Sequence, residues 1–331
     1  MKRNIYLEDI PLDEARRRFE EALGKAGLWG PLSPETVPVS NANGRVTAEP
    51  VWAKLSSPHY NASAMDGFAV RARDTIGAAE TQPVVLTLHS EHEEPSSVMQ
   101  RAFAVDTGQP LPDWADAVVM VEDTQICTDS EGRPAIAVRA SVAPWRHVRM
   151  MGEDMVASEL VIPSYHHLRP VDLGAIAGSG HDSVSVIRRP IVAIIPTGSE
   201  LVDAGTAAKK GVSPGSIIEY NSIVLAAQVE QWGGIAVRWP IVADEYDAIR
   251  EAVLEASQEC DLVLVNAGSS AGRKDYTVHI IDSVGQLLVH GIAVRPGHPV
   301  ILGVINKRTA DGENHDASGS ACAVIGVPGY P

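Results

Sequence analysis

From Arg189 onward the chain alternates short apolar runs with amphipathic ones: IVAII, the loop PTGSEL, NSIVLAAQVEQWG, IAVRWPIV, DEYDAIREAVLEASQ and DLVLV. Strand and helix in strict alternation predict a parallel sheet covered by helices, because parallel neighbours need a crossover and a helix makes the compact one. The run Leu262 to Val265 is apolar without alternation, as a strand buried on both faces requires. Beyond it, DYTVHIIDSVG reads as a helix, and LLVHGIAV, PVILGVI and ACAVIGV as strands.

Ligands of an open α/β sheet sit outside the carboxyl ends of its strands. Three glycine-bearing loops are expected there: Pro196 to Leu201, Asn266 to Thr277 (NAGSSAGRKDYT), and the terminal VPGYP. Small residues let backbone N–H groups approach an anion, so Gly198 and Gly268 suit a phosphate, with hydroxyl donors from Thr197, Ser199, Ser269 and Ser270. Glu200, Asp244 and Asp275 could supply carboxylates to Mg2+, which commonly takes one or two together with substrate oxygens. Each loop also has a plainer reading. Asp275 and Glu200 suit helix-capping acids, and the Asn266 to Thr277 loop taken alone favours a tight turn, since no GK[ST] follows to make a P-loop. In AVRPGHP, Arg295 and His298 flank a Pro-Gly turn and suit an anion contact, although spacing alone favours an ordinary turn with a solvated Arg.

Upstream, Leu12, Ala15, Phe19 and Leu23 recur at helical spacing between Pro11 and Ala26, an amphipathic helix whose stripe is core or a subunit interface. Phe68 to about Val142 is rich in short alternating strands (PVVLTLHS, RAFAVDTG, DAVVMVED, PAIAVRA), a small β domain. Helical text returns after it, with a helix over Asp172 to Ala177. The β segment is therefore an insertion: residues 51–142 interrupt a discontinuous helical and linker domain, 1–50 with 143–187, and 188–331 form the α/β domain. In SAMDGFAV, Asp66 precedes a Gly at a strand entrance, usually a turn role. His59, His166 and His167 lack zinc-site spacing.

A formal net charge of −15 argues against nucleic-acid or anionic-membrane partners. Any anionic substrate must then be held by clustered N–H groups, a few placed cations or a metal. Cys127, Cys260 and Cys322 have no metal or redox spacing and read as reduced thiols. The charged N-terminus has no signal-peptide core, and no run is long enough to span a bilayer, so a cytoplasmic location is expected. Ending on an apolar strand and a Pro-Gly turn predicts a parent chain that continues past Pro331.

SAMDGFAV, DTGQPLPDWADAVVMVED, MGEDM, PTGSELV, EYNSIVLAAQVEQWG, the Asn266 to Thr277 loop, GIAVRPGHPVILG and GVPGYP resemble, in order and spacing, the molybdopterin molybdotransferases. This is the MoeA family, which includes the E domain of gephyrin. The resemblance implies insertion of molybdate into adenylylated molybdopterin, assisted by Mg2+, with release of AMP. It implies an α/β plus β fold: an elongated multidomain chain with a three-layer molybdopterin-binding-type α/β domain and an inserted small β domain, paired as a homodimer with a cleft between subunits. Position by position it implies roles for Asp66, Thr107 in DTGQP, Asp154 in GED, Glu200, Asp244 and Asp275, the acids gathering around metal. Three departures stand out: NAGSSAG for the family's Gly-Gly loop, RPGHP for KPGKP, and PGYP for PGNP, wording similar to the branch fused to a periplasmic-binding-protein-like domain. The family's small C-terminal β domain is not found before Pro331. These departures motivate an alternative, a pterin- or oxyanion-binding or regulatory module without turnover, and a third reading as a dimer scaffold.

Overall fold

The structure, a computed structural model, describes residues 8–89, 100–266, 276–307 and 321–329. The chain forms two compact units, residues 1–35 with 187–331, and residues 36–186.

Helix α1 (Leu12–Lys25) starts after Pro11, whose ring pre-sets the first turn. Its outer face carries ion pairs, Arg16 to Glu20 at 2.6 Å and Arg18 to Glu14 at 2.8 Å. Exposed pairs of that kind add little to helix stability. The apolar stripe does more: Ala15 and Leu23 are buried, and with Phe19 they pack on Leu288, Leu302, Val304 and Ala323 of the α/β sheet. The first of the two sequence expectations for this stripe, core, is what the described chain shows.

In the second unit, β1 (Gly67–Val70), β2 (Val84–Leu88), β3 (Arg101–Val105), β4 (Ala117–Met120), β5 (Thr124–Thr128) and β6 (Pro134–Val138) form one sheet in the order β4-β1-β3-β2-β6-β5. Phe68, Val70, Leu86, Val119 and Ile136 fill its core. Strand β5 was not expected, and its composition explains why: TQICT lies at the sheet edge and buries none of its residues fully. Helix α2 (Pro170–Gly178) begins with a capping box, in which the Asp172 carboxylate accepts from the Arg169 backbone at 2.8 Å and from its guanidinium at 2.9 and 3.0 Å. His166 Nε2 reaches the same carboxylate at 2.9 Å.

The first unit continues with β7 (Ile191–Pro196), α3 (Ala204–Lys210), α4 (Asn221–Gln231), β8 (Ile235–Arg238), α5 (Tyr246–Glu259), β9 (Leu262–Asn266), α6 (Tyr276–Val284), β10 (Gly285–His290), β11 (Ile301–Asn306) and β12 (Ala321–Val327). The sheet order is β8-β7-β9-β12-β11-β10. Strands β8, β7, β9 and β12 run parallel, as their alternation with helices predicts. β11 and β10 run antiparallel to their neighbours, because no helical crossover separates β10 from β11.

Side chains alternate across the pleat. Ala193, Ile195, Val263 and Val265 face Ile249 and Val253 of α5 and Ile280 of α6, while Val192, Ile194 and Leu264 face Leu225 and Val229 of α4. Helix α1 shares that second face, since Leu262 and Ile325 touch both clusters. Helices on both faces make three layers. Asp261 ties two strand starts together, accepting from Arg188 at 2.8 Å through each oxygen and from Ile191 N at 2.8 Å.

Candidate functional site

Register fixes where the site lies. Pro196 pairs with Asn266, and Asn266 with Val327, so three adjacent parallel strands end at one level. Thr197 is buried and closes the step by donating its N–H and its hydroxyl to the Asn266 carbonyl, at 2.9 and 3.3 Å. Gly198 follows at φ 151, a conformation that favours glycine, and the Glu200 carboxylate folds back within 2.8 and 2.9 Å of the point a Cβ there would occupy. The neighbouring loop is joined to this one: Gly198 N donates to Val242 O at 3.1 Å, and Asp244 N to Ser199 Oγ at 3.3 Å.

Beyond these strand ends lies a cavity of about 410 Å3, within the ~300–1,000 Å3 of small-molecule sites. Its walls include Thr197, Glu200, Asn266, Pro296 and Gly297 of the RPGHP turn, and Pro328 and Gly329 of the last loop. Ile217 to Asn221 also line it; Glu219 to Asn221 open the quoted motif EYNSIVLAAQVEQWG, but none of these residues was assigned a site role from the sequence. This stretch arrives there because Ile217–Glu219 pairs in parallel with Leu201–Asp203, directly after Glu200. Buried Glu219 caps α4, accepting from Ser222 N at 2.7 Å and Ser222 Oγ at 2.6 Å, and Asn221 Nδ2 donates to Gly329 O at 2.8 Å. An acid and an amide at the entrance of a helix were the available signal.

Thr197, Glu200 and Asn266 therefore line one cavity, with Gly198, Ser199 and Asp244 in the loops behind it. Arg295 and His298 do not line it; His298 Nε2 instead meets Asp9 Oδ1 at 2.8 Å. Gly268, Ser269, Ser270 and Asp275 lie outside the described residues. Among the described residues no three His, Cys, Asp or Glu side chains cluster as a metal site.

The second unit holds its own acidic pair. Asp66 Oδ1 accepts from Thr107 N at 2.7 Å and Thr107 Oγ1 at 2.8 Å. These two bonds, the backbone one first, hold the exposed Asp66 carboxyl below the usual carboxylate range. Gly67 is glycine because β1 runs between β3 and β4 with the Val119 carbonyl where a Cβ would be. Asp154 is gripped by Arg149 Nη2 at 3.0 and 3.1 Å, and the strand carrying Arg149 pairs with Ala62 just ahead of Asp66.

A three-layer sheet with a cavity beyond its parallel strand ends defines a small-molecule-binding α/β protein. Residues 10–180 match the family model "MoeA N-terminal region (domain I and II)", and residues 193–331 match "Probable molybdopterin binding domain". The chain is 34% identical over 284 residues to molybdopterin molybdenumtransferase 2 of Mycobacterium tuberculosis, covering 82% of this chain and 67% of the relative. It is 31% identical over 303 residues to the molybdopterin molybdenumtransferase of Nostoc, covering 90% and 65%. A crystal structure of the molybdopterin biosynthesis MoeA protein from Pyrococcus horikoshii superposes with a TM-score of 0.76 at 29% identity, covering 98% of this chain and 75% of that one. The chain belongs to the molybdopterin molybdenumtransferase (MoeA) family of molybdenum cofactor biosynthesis. It spans about two thirds of the length of these two curated relatives. No described helix is long and apolar enough to cross a membrane.

Proposed function

We propose that this chain transfers molybdenum from molybdate to adenylylated molybdopterin and releases AMP, acting in the cytoplasm as a homodimer. The observation that carries the reading is the meeting of Thr197, Glu200 and Asn266 on one cavity in a chain of this family. Backbone N–H groups and hydroxyls of the Pro196 to Leu201 loop and of the Asn266 to Thr277 loop bind the pterin phosphate, with Gly198, Ser199, Gly268, Ser269 and Ser270 supplying the close approach. Arg295 adds positive charge near the turn in an otherwise acidic protein, and His298 beside it offers a ring nitrogen. Asp66, held below the usual carboxylate range by Thr107, and Asp154, oriented by Arg149, are the acids of residues 36–186 to which we assign a substrate role.

Mg2+ fits the donor set, because it needs only one or two carboxylates beside substrate oxygens, and Glu200 on the cavity wall with Asp244 tied to Ser199 offers them. Asp275 completes the proposed ligands. When bound, the ion would offset the charge of the leaving adenylate. Within residues 36–186 we propose the boundary expected from the sequence, with 51–142 inserted into the linker portion.

The test is AMP formation from adenylylated molybdopterin with molybdate and Mg2+, measured on wild type, Asp66→Asn and Glu200→Gln. Both variants should fall by roughly 100-fold or more, the scale of removing a preorganised electrostatic group. AMP release unaffected by either would sink the assignment. A second reading, a binding module without turnover, is favoured by one contact, the engagement of His298 by Asp9. Light scattering that finds a monomer would remove the dimer from the proposal.

A further inference from the structure

Ser63 is fully buried, and its hydrogen-bonding groups reach the segments that carry Asp66 and Thr107. Its N–H donates to Gln109 O at 2.9 Å and its carbonyl accepts from Gly108 N at 2.8 Å, so the turn just after Thr107 is fastened by two bonds. Its hydroxyl donates to Met65 O at 2.5 Å and accepts from Met65 N at 3.4 Å, which fixes the residue directly before Asp66. The two-residue strand Ala62–Ser63 also pairs with Val148 and Arg149, and Arg149 grips Asp154.

Asp66 and Thr107 are themselves exposed. A hydrogen bond between exposed groups competes with water and gains little unless both partners are held in its geometry beforehand. The sheet holds the far side of Asp66: Gly67 pairs with Val105 and with Met120, and Asp66 O accepts from Val121 N at 3.2 Å. The near side is held by Ala64 N on His147 O at 2.9 Å and by the Ser63 hydroxyl on Met65. The geometry points to Ser63 as a positioning residue. Its buried side chain sets Asp66 and its backbone sets the Thr107 turn, so that both Thr107 donors converge on one carboxylate oxygen. The inference rests on the role proposed above for Asp66 and deepens it by naming the side chain that holds this acid in place.

The test uses the full chain carrying Ser63→Ala, which deletes the hydroxyl, or Ser63→Cys, which replaces it with a much weaker donor. In both, the Asp66 carboxyl, followed by NMR, should titrate nearer its ordinary value than in wild type, because hydrogen bonds to the ionised form are what lower it. AMP release at saturating substrate should fall about tenfold with KM within about twofold of wild type, the pattern of a lost positioning contact. A serine that only fills space would lower thermal stability and leave the Asp66 titration unmoved; that result overturns the inference and leaves the role of Asp66 intact. A shifted titration with wild-type turnover also overturns it when Asp66→Asn is inactive. If Asp66→Asn turns over like wild type, the reading of Asp66 has failed and the inference falls with it. Loss of folding in both variants would assign the hydroxyl to the fold alone and overturn the inference as well.

Discussion

Thr107 donates twice to one oxygen of Asp66, through its backbone N–H at 2.7 Å and its hydroxyl at 2.8 Å. The other oxygen, Oδ2, has no partner among the described residues, so the carboxylate is held by one side and presented by the other. The pair forms because β1 and β3 run antiparallel with Gly67 opposite Val105, which brings the residues flanking those ends together.

Replacing Thr107 with Val removes the hydroxyl and keeps the backbone donor. The Asp66 pKa should rise toward its ordinary value near 3.9 without reaching it, and turnover should fall about tenfold, one hydrogen bond's worth. An NMR titration of Asp66 beside an AMP-release assay checks both. Stability should change little, because Asp66 is exposed.

Gly67→Ala should instead cost stability. Its methyl group would meet the Val119 backbone, which cannot swing aside as a flexible side chain would. Overpacking of this kind costs about 1–3 kcal/mol, readable as a lower urea midpoint with an unchanged slope.

Acid should loosen both units through two carboxylates. Hydrogen bonds from Arg169, aided by His166, hold Asp172 well below the usual range; at Asp261 burial pulls upward but Arg188 and Ile191 outweigh it. Both folded values are depressed, so the stability they contribute is fully present above the unfolded value near 4 and disappears as pH falls through the lowered folded values. Asp261→Asn should flatten the dependence of unfolding free energy on pH below about 4 and lower stability at pH 7 by roughly 1–3 kcal/mol. A variant that keeps the wild-type slope would refute the role.

Thiol reactivity should follow burial. Cys322 is fully buried and its pKa is pushed up to about 12 by burial, and Cys260 is raised by the same cause. Cys127 is half-buried. Alkylation of native protein at pH 8 followed by mass spectrometry should modify Cys127 first and reach the other two only on unfolding.

The sequence was most legible where local periodicity decides structure. Apolar β9 and the stripe of α1 could be read residue by residue, α5 could be read as a helix, and the Pro196 and Asn266 loops could be placed at strand ends. The antiparallel direction of β10 and β11 was not, since LLVHGIAV and PVILGVI carry apolar content without direction. Glu219 and Asn221, quoted only as the start of EYNSIVLAAQVEQWG, were given no site role, because their place on the cavity depends on the pairing of Ile217–Glu219 with Leu201–Asp203, a contact no periodicity encodes. Asp66 and Thr107 came from family resemblance alone; 41 positions separate them, and only the sheet brings them together.

Single-turnover mixing of the chain with adenylylated molybdopterin and molybdate, with and without Mg2+, tests the central claim most directly. The account predicts AMP appearing in step with molybdenum retained on the pterin, dependent on Mg2+ and strongly reduced in Asp66→Asn. Saturable molybdopterin binding with no AMP released under any of these conditions would contradict it.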